Sequence, residues 1–307
     1  MGKAENKSNT PEGGLETSGK NSAPSFFRVM WREITNDKLA LISLVVLIAL
    51  FVFVYIAAAG VDSDSVVTVS LKKINKPPSA EHIFGTDPSG RDMYTQLVVG
   101  ARNSISIAIG ITLLCGLIGT VVGLFAGFYG GLADNIVMRI IDFFSMLPTL
   151  MLVIVVVSVI PKYNVFTFIL ILSAFGWIFN ARLTRAKTLQ QSGLDYVSAA
   201  RTLGTPNWKI MFTQVLPNII SIVIVNLTLS LAGNMGIEVG LSFLGFGLPF
   251  GVPSLGTHIS YARVPENLSM RWWLWLPAAL MIVAMMLCIN FVGQAVKRAA
   301  DAKQRVV

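Results

Sequence analysis

The stretch LALISLVVLIALFVFVYIAAA, residues 39–59, holds 21 residues and no charge. A chain crossing hydrocarbon must satisfy its own peptide groups, and about 20 apolar residues in one helix do so. The rest of the sequence agrees with that reading. Of its 307 residues 54% are hydrophobic and 13% charged, with a mean hydropathy of +0.67. A soluble protein carries about 25% charged residues. The composition excludes a disordered chain, a collagen-like fibre and a disulfide scaffold, and predicts an all-α polytopic membrane protein.

Five further spans are expected beyond Leu39–Ala59, giving six in all. They are Ser104–Tyr129, Asn135–Ile160, Tyr163–Ala181, Ile210–Ile237 and Trp272–Val296. The second is glycine-rich, at Gly110, Gly116, Gly119, Gly123 and Gly127, which favours close helix packing over a pore lining. The third carries Arg139, Asp142 and Pro148; the two charges stand three apart, where a helix lets them pair, and an Arg139 that snorkels to the interface is the other structural reading. Val239–Ala262 is long enough to span, yet its five glycines with Pro249 and Pro253 forbid one lipid-facing helix. It reads as a re-entrant or outer segment.

The resulting divisions are a tail at 1–38 with a surface segment, a first anchor at 39–59, an outer loop at 60–102, a five-helix core at 103–296, and a tail at 297–307. The first 25 residues are polar and low in complexity, as a disordered tail is. Asn6 breaks the myristoylation pattern that the Met-Gly start suggests. Formal charge is +8. Sixteen of the 24 basic residues fall on one side of six spans, which predicts both termini in the cytoplasm. The excess charge therefore orients the chain in a membrane, and nucleic acid is not an expected partner.

The core contains a polar connection, 182–212. Asp195 is expected to cap a short helix that Gly204 ends, and Pro206 to open a second helix leading to Leu216-Pro217. The product is a helix–turn–helix at the membrane surface, whose small side chains Ala199 and Ala200 would let another protein approach. From spacing alone, an ordinary interfacial loop is an equal reading. Elsewhere, Glu238 ends a 28-residue uncharged run. It is expected to bind a loop backbone or, less readily, to face the translocation path or outer gate with Asn226 and Asn234. Asn180, Asn226, Asn234 and Asn290 suit interhelical hydrogen bonds. Cys115 and Cys288, with His82 and His258, offer no metal-ligand spacing. No nucleophile constellation or nucleotide motif stands out, so no catalytic residue and no bound cofactor is expected.

The connection resembles the EAA motif of ABC-importer permeases, with Ala199, Ala200, Gly204, Leu216 and Pro217 at matching spacing; Ser198 stands in place of the usual Glu, and Gln214 departs as well. The stretch from His82 through Gly85-Thr86-Asp87-Pro88-Ser89-Gly90-Arg91-Asp92 to Gly100-Ala101-Arg102-Asn103-Ser104 is similar to C-type permeases of dipeptide, oligopeptide and nickel importers. So are Gly127–Gly131 with Asp134, Asp195-Tyr196-Val197, Glu238, Leu241–Gly247 and Trp272-Trp273. The resemblance covers roughly residues 27–296, with Leu248–Gly256 nearest in character to Gram-positive oligopeptide permeases. It implies a type I importer, MetI-like fold with six transmembrane helices in a bacterial cell membrane. It also implies a homologous second permease, two cytosolic ATPases that hold ATP and Mg, and an extracellular substrate-binding lipoprotein. Asp195, Tyr196, Ala199, Ala200, Arg201, Gly204, Pro206, Leu216 and Pro217 would form the surface gripped by an ATPase. A nickel or other small-solute importer is the alternative. An ion-coupled carrier lacks the intramembrane ionisable residues it would need, and a non-transporting scaffold leaves the connection unexplained.

Overall fold

A computed structural model describes residues 26–62 and 66–304. The expected tail at residues 1–25, with Lys3, Lys7 and Lys20, and Arg305 at the other end lie outside them. Among the described residues the regular structure is helical, apart from one isolated bridge between Thr86 and Asp92.

Helix α1 (Phe26–Asn36) is joined by the single residue Asp37 to α2 (Lys38–Ala59). The Asp37 carboxylate accepts from the amides of Leu39 (2.9 Å) and Ala40 (3.3 Å), and so caps the first apolar run. A loop of short turns leads to α3 (Met93–Tyr129), which starts eleven residues before the apolar run because the Asp92 side chain accepts from the Thr95 amide and caps it there. It is 37 residues long.

The third expected span is not one helix. It divides into α4 (Gly131–Met146) and α5 (Thr149–Val159), bent by 80° at Leu147-Pro148. Proline lacks the amide hydrogen and its ring crowds the preceding turn, so Leu147 is extended and the chain changes direction. Among the described residues five helices are long and apolar enough to cross a membrane, and six if the bent pair is one span.

Helix α6 (Val165–Ser192) returns along α3. At their crossing a Cβ on Gly119, Gly123 or Gly127 would lie 2.5, 2.5 and 2.6 Å from atoms of α6, so the glycine stripe is packing, as expected. Two short helices follow, α7 (Asp195–Thr202) and α8 (Asn207–Ile210). A π-helical stretch, Met211–Val215, then carries α8 without a break into α9 (Leu216–Leu244). The wider turn falls just before Pro217, which supplies no hydrogen bond and would crowd a regular α-turn.

Helix α9 runs seven residues past the expected end of the fifth span and stops at Gly245, in the left-handed region at φ 94°. The stretch 239–262 is thus part span and part outer segment, with α10 (Leu255–Ser260) in its second half. After α11 (Pro265–Met270) the chain enters α12 (Leu276–Gln304), which packs on α1, α2 and α9.

Candidate functional site

At one end of the bundle, α7 and α8 form the expected helix–turn–helix. Leu194 rather than Asp195 takes the cap position of α7, and Asp195 lies in its first turn, where a carboxylate meets the positive helix end. Pro206 is likewise the cap of α8 rather than its first residue. Gly204 has φ +76°, with nothing within 4 Å of where a Cβ would stand. That conformation closes the turn, the Gly204 amide donating to Arg201 O (2.9 Å) and the Thr205 amide to Ala200 O (3.0 Å).

The inner face of this element is fixed to two long helices. Val197, Ala200, Ile210, Met211 and Val215 are buried with Leu124 and Phe128 of α3 and Ile219 of α9. The Arg201 guanidinium lies 4.9 Å from the Phe128 ring centroid, a cation–π contact. Tyr196 donates to Gln191 Oε1 at 3.0 Å. The outer face is open. Ala199, Pro206 and Pro217 are exposed, while Leu203 and Trp208 are 85% and 61% exposed. Of the expected alanine pair, therefore, Ala199 faces outward and Ala200 packs inward.

Charged side chains brace the neighbouring helices. Arg185 of α6 binds Asp134 of α4 through two hydrogen bonds of 2.5 Å. Asp142 pairs with Arg182 of α6 at 2.9 Å, not with Arg139, so the i,i+3 pairing is corrected. Helical spacing made that pair available, but a partner from another helix took the carboxylate. Asn226 donates to Asn180 between α9 and α6, and Asn234 donates to Thr112 of α3 at 2.8 Å. These two ties match expectation, whereas Asn290 donates to Met286 O within its own helix.

At the opposite end a polar cap forms beside an open pocket lined in part by Gln96, Ser242, Thr257 and His258. Glu238 is fully buried, and its Oε1 accepts from Ser242 one turn on (2.8 Å), not from a loop backbone. Ser254 donates to Ser242 at 3.3 Å, Ser104 accepts from the Leu255 amide at 3.0 Å, and Asn103 donates to Pro253 O at 2.9 Å. Glu238 therefore lines no open space within the chain. Beneath the preceding loop, Asp87 accepts from the amides of Ser89 and Arg91 and from the Arg91 side chain, each at 2.8 Å. His82 makes the ordinary bond expected of it, to Asp92 (2.7 Å). His258 does not: it is 2% exposed, and its ring nitrogens make no well-formed hydrogen bond. Desolvation, above all, pushes its pKa down to about 4. Asn103, Ser104, Phe128 and Asp134 stood in stretches that the sequence resemblance marked, but their partners, far along the chain, were not legible there.

A bundle of long apolar helices with an exposed helix–turn–helix at one end and a buried polar cap at the other is the arrangement of a polytopic membrane protein. Residues 119–306 match the family model described as the binding-protein-dependent transport system inner membrane component. Residues 25–78 match the N-terminal TM domain of oligopeptide transport permease C. The oligopeptide transport system permease protein OppC of Lactococcus lactis subsp. cremoris (strain SK11) is 43% identical over 290 residues, covering 94% of this chain and 98% of the relative. OppC of Bacillus subtilis (strain 168) is 36% identical, covering 90% of each chain. The dipeptide transport system permease protein DppC of the same strain is 36% identical over 94% of this chain and 89% of its own. The chain belongs to the binding-protein-dependent transport system inner membrane components. It is a multi-pass inner-membrane subunit of the ABC-importer permease family.

Proposed function

We propose that the chain is one of two homologous permeases in an ATP-driven importer of peptides, working with two cytosolic ATPases and an extracellular substrate-binding lipoprotein. The observation that carries this reading is the α7–α8 element, open on its outer face and packed on α3 and α9 by its inner one. An ATPase seated on Asp195, Tyr196, Ala199, Arg201, Gly204 and Pro206 would move both long helices at once, through Phe128 and through Leu216-Pro217. ATP and Mg belong to those partners, and both termini face the cytoplasm with the element. The names of the relatives support peptide as the cargo, and a nickel importer is the competing assignment within the family. Glu238, Asn234 and Asn226 serve this reading as ties within the bundle, not as cargo contacts.

Gly204→Glu tests it. A side chain at φ +76° costs about 1–2 kcal/mol locally, too little to prevent insertion, while the added bulk and charge stand at the seat. Peptide uptake by the complete importer is expected to fall at least tenfold with insertion unchanged. Gly204→Asn, which tolerates this conformation, is expected to keep most of the uptake. Normal uptake by a stably inserted Gly204→Glu protein overturns the assignment of the element. Uptake of nickel and not peptide by the unaltered importer overturns the cargo.

A further inference from the structure

Helix α1 divides its surface into three sectors, and only one of them meets protein. Phe26, Val29 and Ile34 are buried, against Ala295, Val296, Ala299 and Ala300 of α12 and Ala40 of α2. Beside them Phe27 and Trp31, one helical turn apart, are 64% and 59% exposed. Around the far side lie Arg28, Arg32 and Thr35, all exposed and again one turn apart. The Arg32 guanidinium has Glu33 at 4.0 Å, the outer limit of an ion pair, and Glu33 stands on its own helix.

The level of this helix is fixed by its connection. The 22 residues of α2 rise about 33 Å, close to the roughly 30 Å of a hydrocarbon core, so Lys38 sits at one boundary. Asp37 holds the joint, capping α2 and pairing with Arg298 of α12. Helix α1 therefore ends at the border between acyl chains and headgroups. Phe27 and Trp31 before this joint, and Leu39, Ile42 and Val45 after it, are apolar side chains about 60% exposed. The arginine sector stands where phosphate groups lie.

We propose that α1 is an interfacial helix that binds anionic phospholipid, with Phe27 and Trp31 among the acyl chains and Arg28 and Arg32 on the headgroup phosphates. Sequence and geometry favour lipid over a protein partner, because the apolar and basic sectors lie side by side at the one depth where a bilayer changes from apolar to anionic. A zwitterionic headgroup would meet the same apolar sector but would leave the arginines without net opposite charge. The proposal is independent of the transported substrate and of the coupling element.

The test uses the full chain in nanodiscs of mixed phosphatidylglycerol and phosphatidylcholine. A fluorophore is placed at Trp31→Cys with Cys115 and Cys288 replaced by Ala, and quenching by spin-labelled versions of each lipid is compared. Spin-labelled phosphatidylglycerol is expected to quench about fivefold more effectively for an arginine that meets a headgroup. The preference is expected to vanish in Arg28→Gln/Arg32→Gln and to shrink in high salt. As a second measurement needing no cysteine change, the ratio of the two lipids retained by the purified chain is read by mass spectrometry, with and without the double substitution. Arg271→Gln, on the outer loops and paired with Glu266, is expected to leave that ratio unchanged. Equal quenching by the two lipids, no quenching by either, or a preference that survives the double substitution overturns the proposal.

Discussion

Replacing Gly123 by Ala forces two helix backbones apart. A Cβ at this position would lie 2.5 Å from Ala181 O, 2.8 Å from the Arg185 amide and 2.8 Å from Thr184 Cβ. Ordinary contact begins near 3.4 Å, so the carbonyl must retreat by about 0.9 Å. It cannot rotate away as a flexible side chain would. Overfilling of this kind costs about 1–3 kcal/mol, offset by the ~1 kcal/mol that Ala gains over Gly in a helix. Gly233→Ala in α9 isolates the offset, since nothing lies within 4 Å of its added Cβ. The reporter is native: Cys115 lies on α3, 1% exposed, with its thiol 3.8 Å from Ser173 O of α6. With Cys288 replaced by Ala, Gly123→Ala is expected to label at Cys115 about five- to 150-fold faster than Gly233→Ala, the factor that 1–3 kcal/mol represents. Equal rates in the two variants would refute the claim that backbone contact at this crossing holds α3 to α6.

Two other outcomes are expected. His258 has its pKa lowered from 6.5 to about 4, so the unfolded chain binds a proton that the folded chain refuses. Its contribution is full above pH 6.5 and is lost as pH falls towards 4, by about 3 kcal/mol in all. Thermal melts from pH 7.5 to 4 should show this slope and show it flattened in His258→Asn; Asp87 and Arg91 are the neighbours whose charges also act there. Asp134→Asn leaves Arg185 without its two-bond partner and is expected to cost about 1–3 kcal/mol. Adding Arg185→Gln should recover part of that loss, and a double-mutant cycle with no coupling would show that the pair contributes nothing.

How much of this was legible follows from what each signal measures. Hydrophobic run length measures transfer into hydrocarbon, so α2 was placed to within one residue and the glycine stripe of α3 was recognised as packing. The same signal cannot see capping outside the apolar run. Helix α3 therefore began eleven residues early, at a cap supplied by Asp92, and α9 continued past Gly240 to a left-handed stop at Gly245. It also cannot weigh a proline inside a span, since neighbouring helices decide whether the chain bends there; Pro148 broke the helix and Pro217 was absorbed by a π-helical turn. At the exposed element the motif located α7 and α8 but not which face of each was free, because that depends on Leu124, Phe128 and Ile219 beneath. Ion pairs were least legible. Asp142 and Arg182 stand 40 residues apart, and only the folded arrangement of α4 and α6 brings them together.

Helix α3 touches both ends of the molecule without interruption. Near its last turn Leu124 and Phe128 support α7, and near its first turns Asn103 and Ser104 hold the segment leading into α10. From Asn103 to Phe128 the axis rises about 38 Å. A hydrogen-bonded rod of that length neither shortens nor lengthens appreciably under load, so it has no separate timetable for its two ends. Whatever tilts it at Phe128 shifts the carbonyl of Pro253 in the same stroke, so the two ends of the bundle are tied together by one piece of covalent chain.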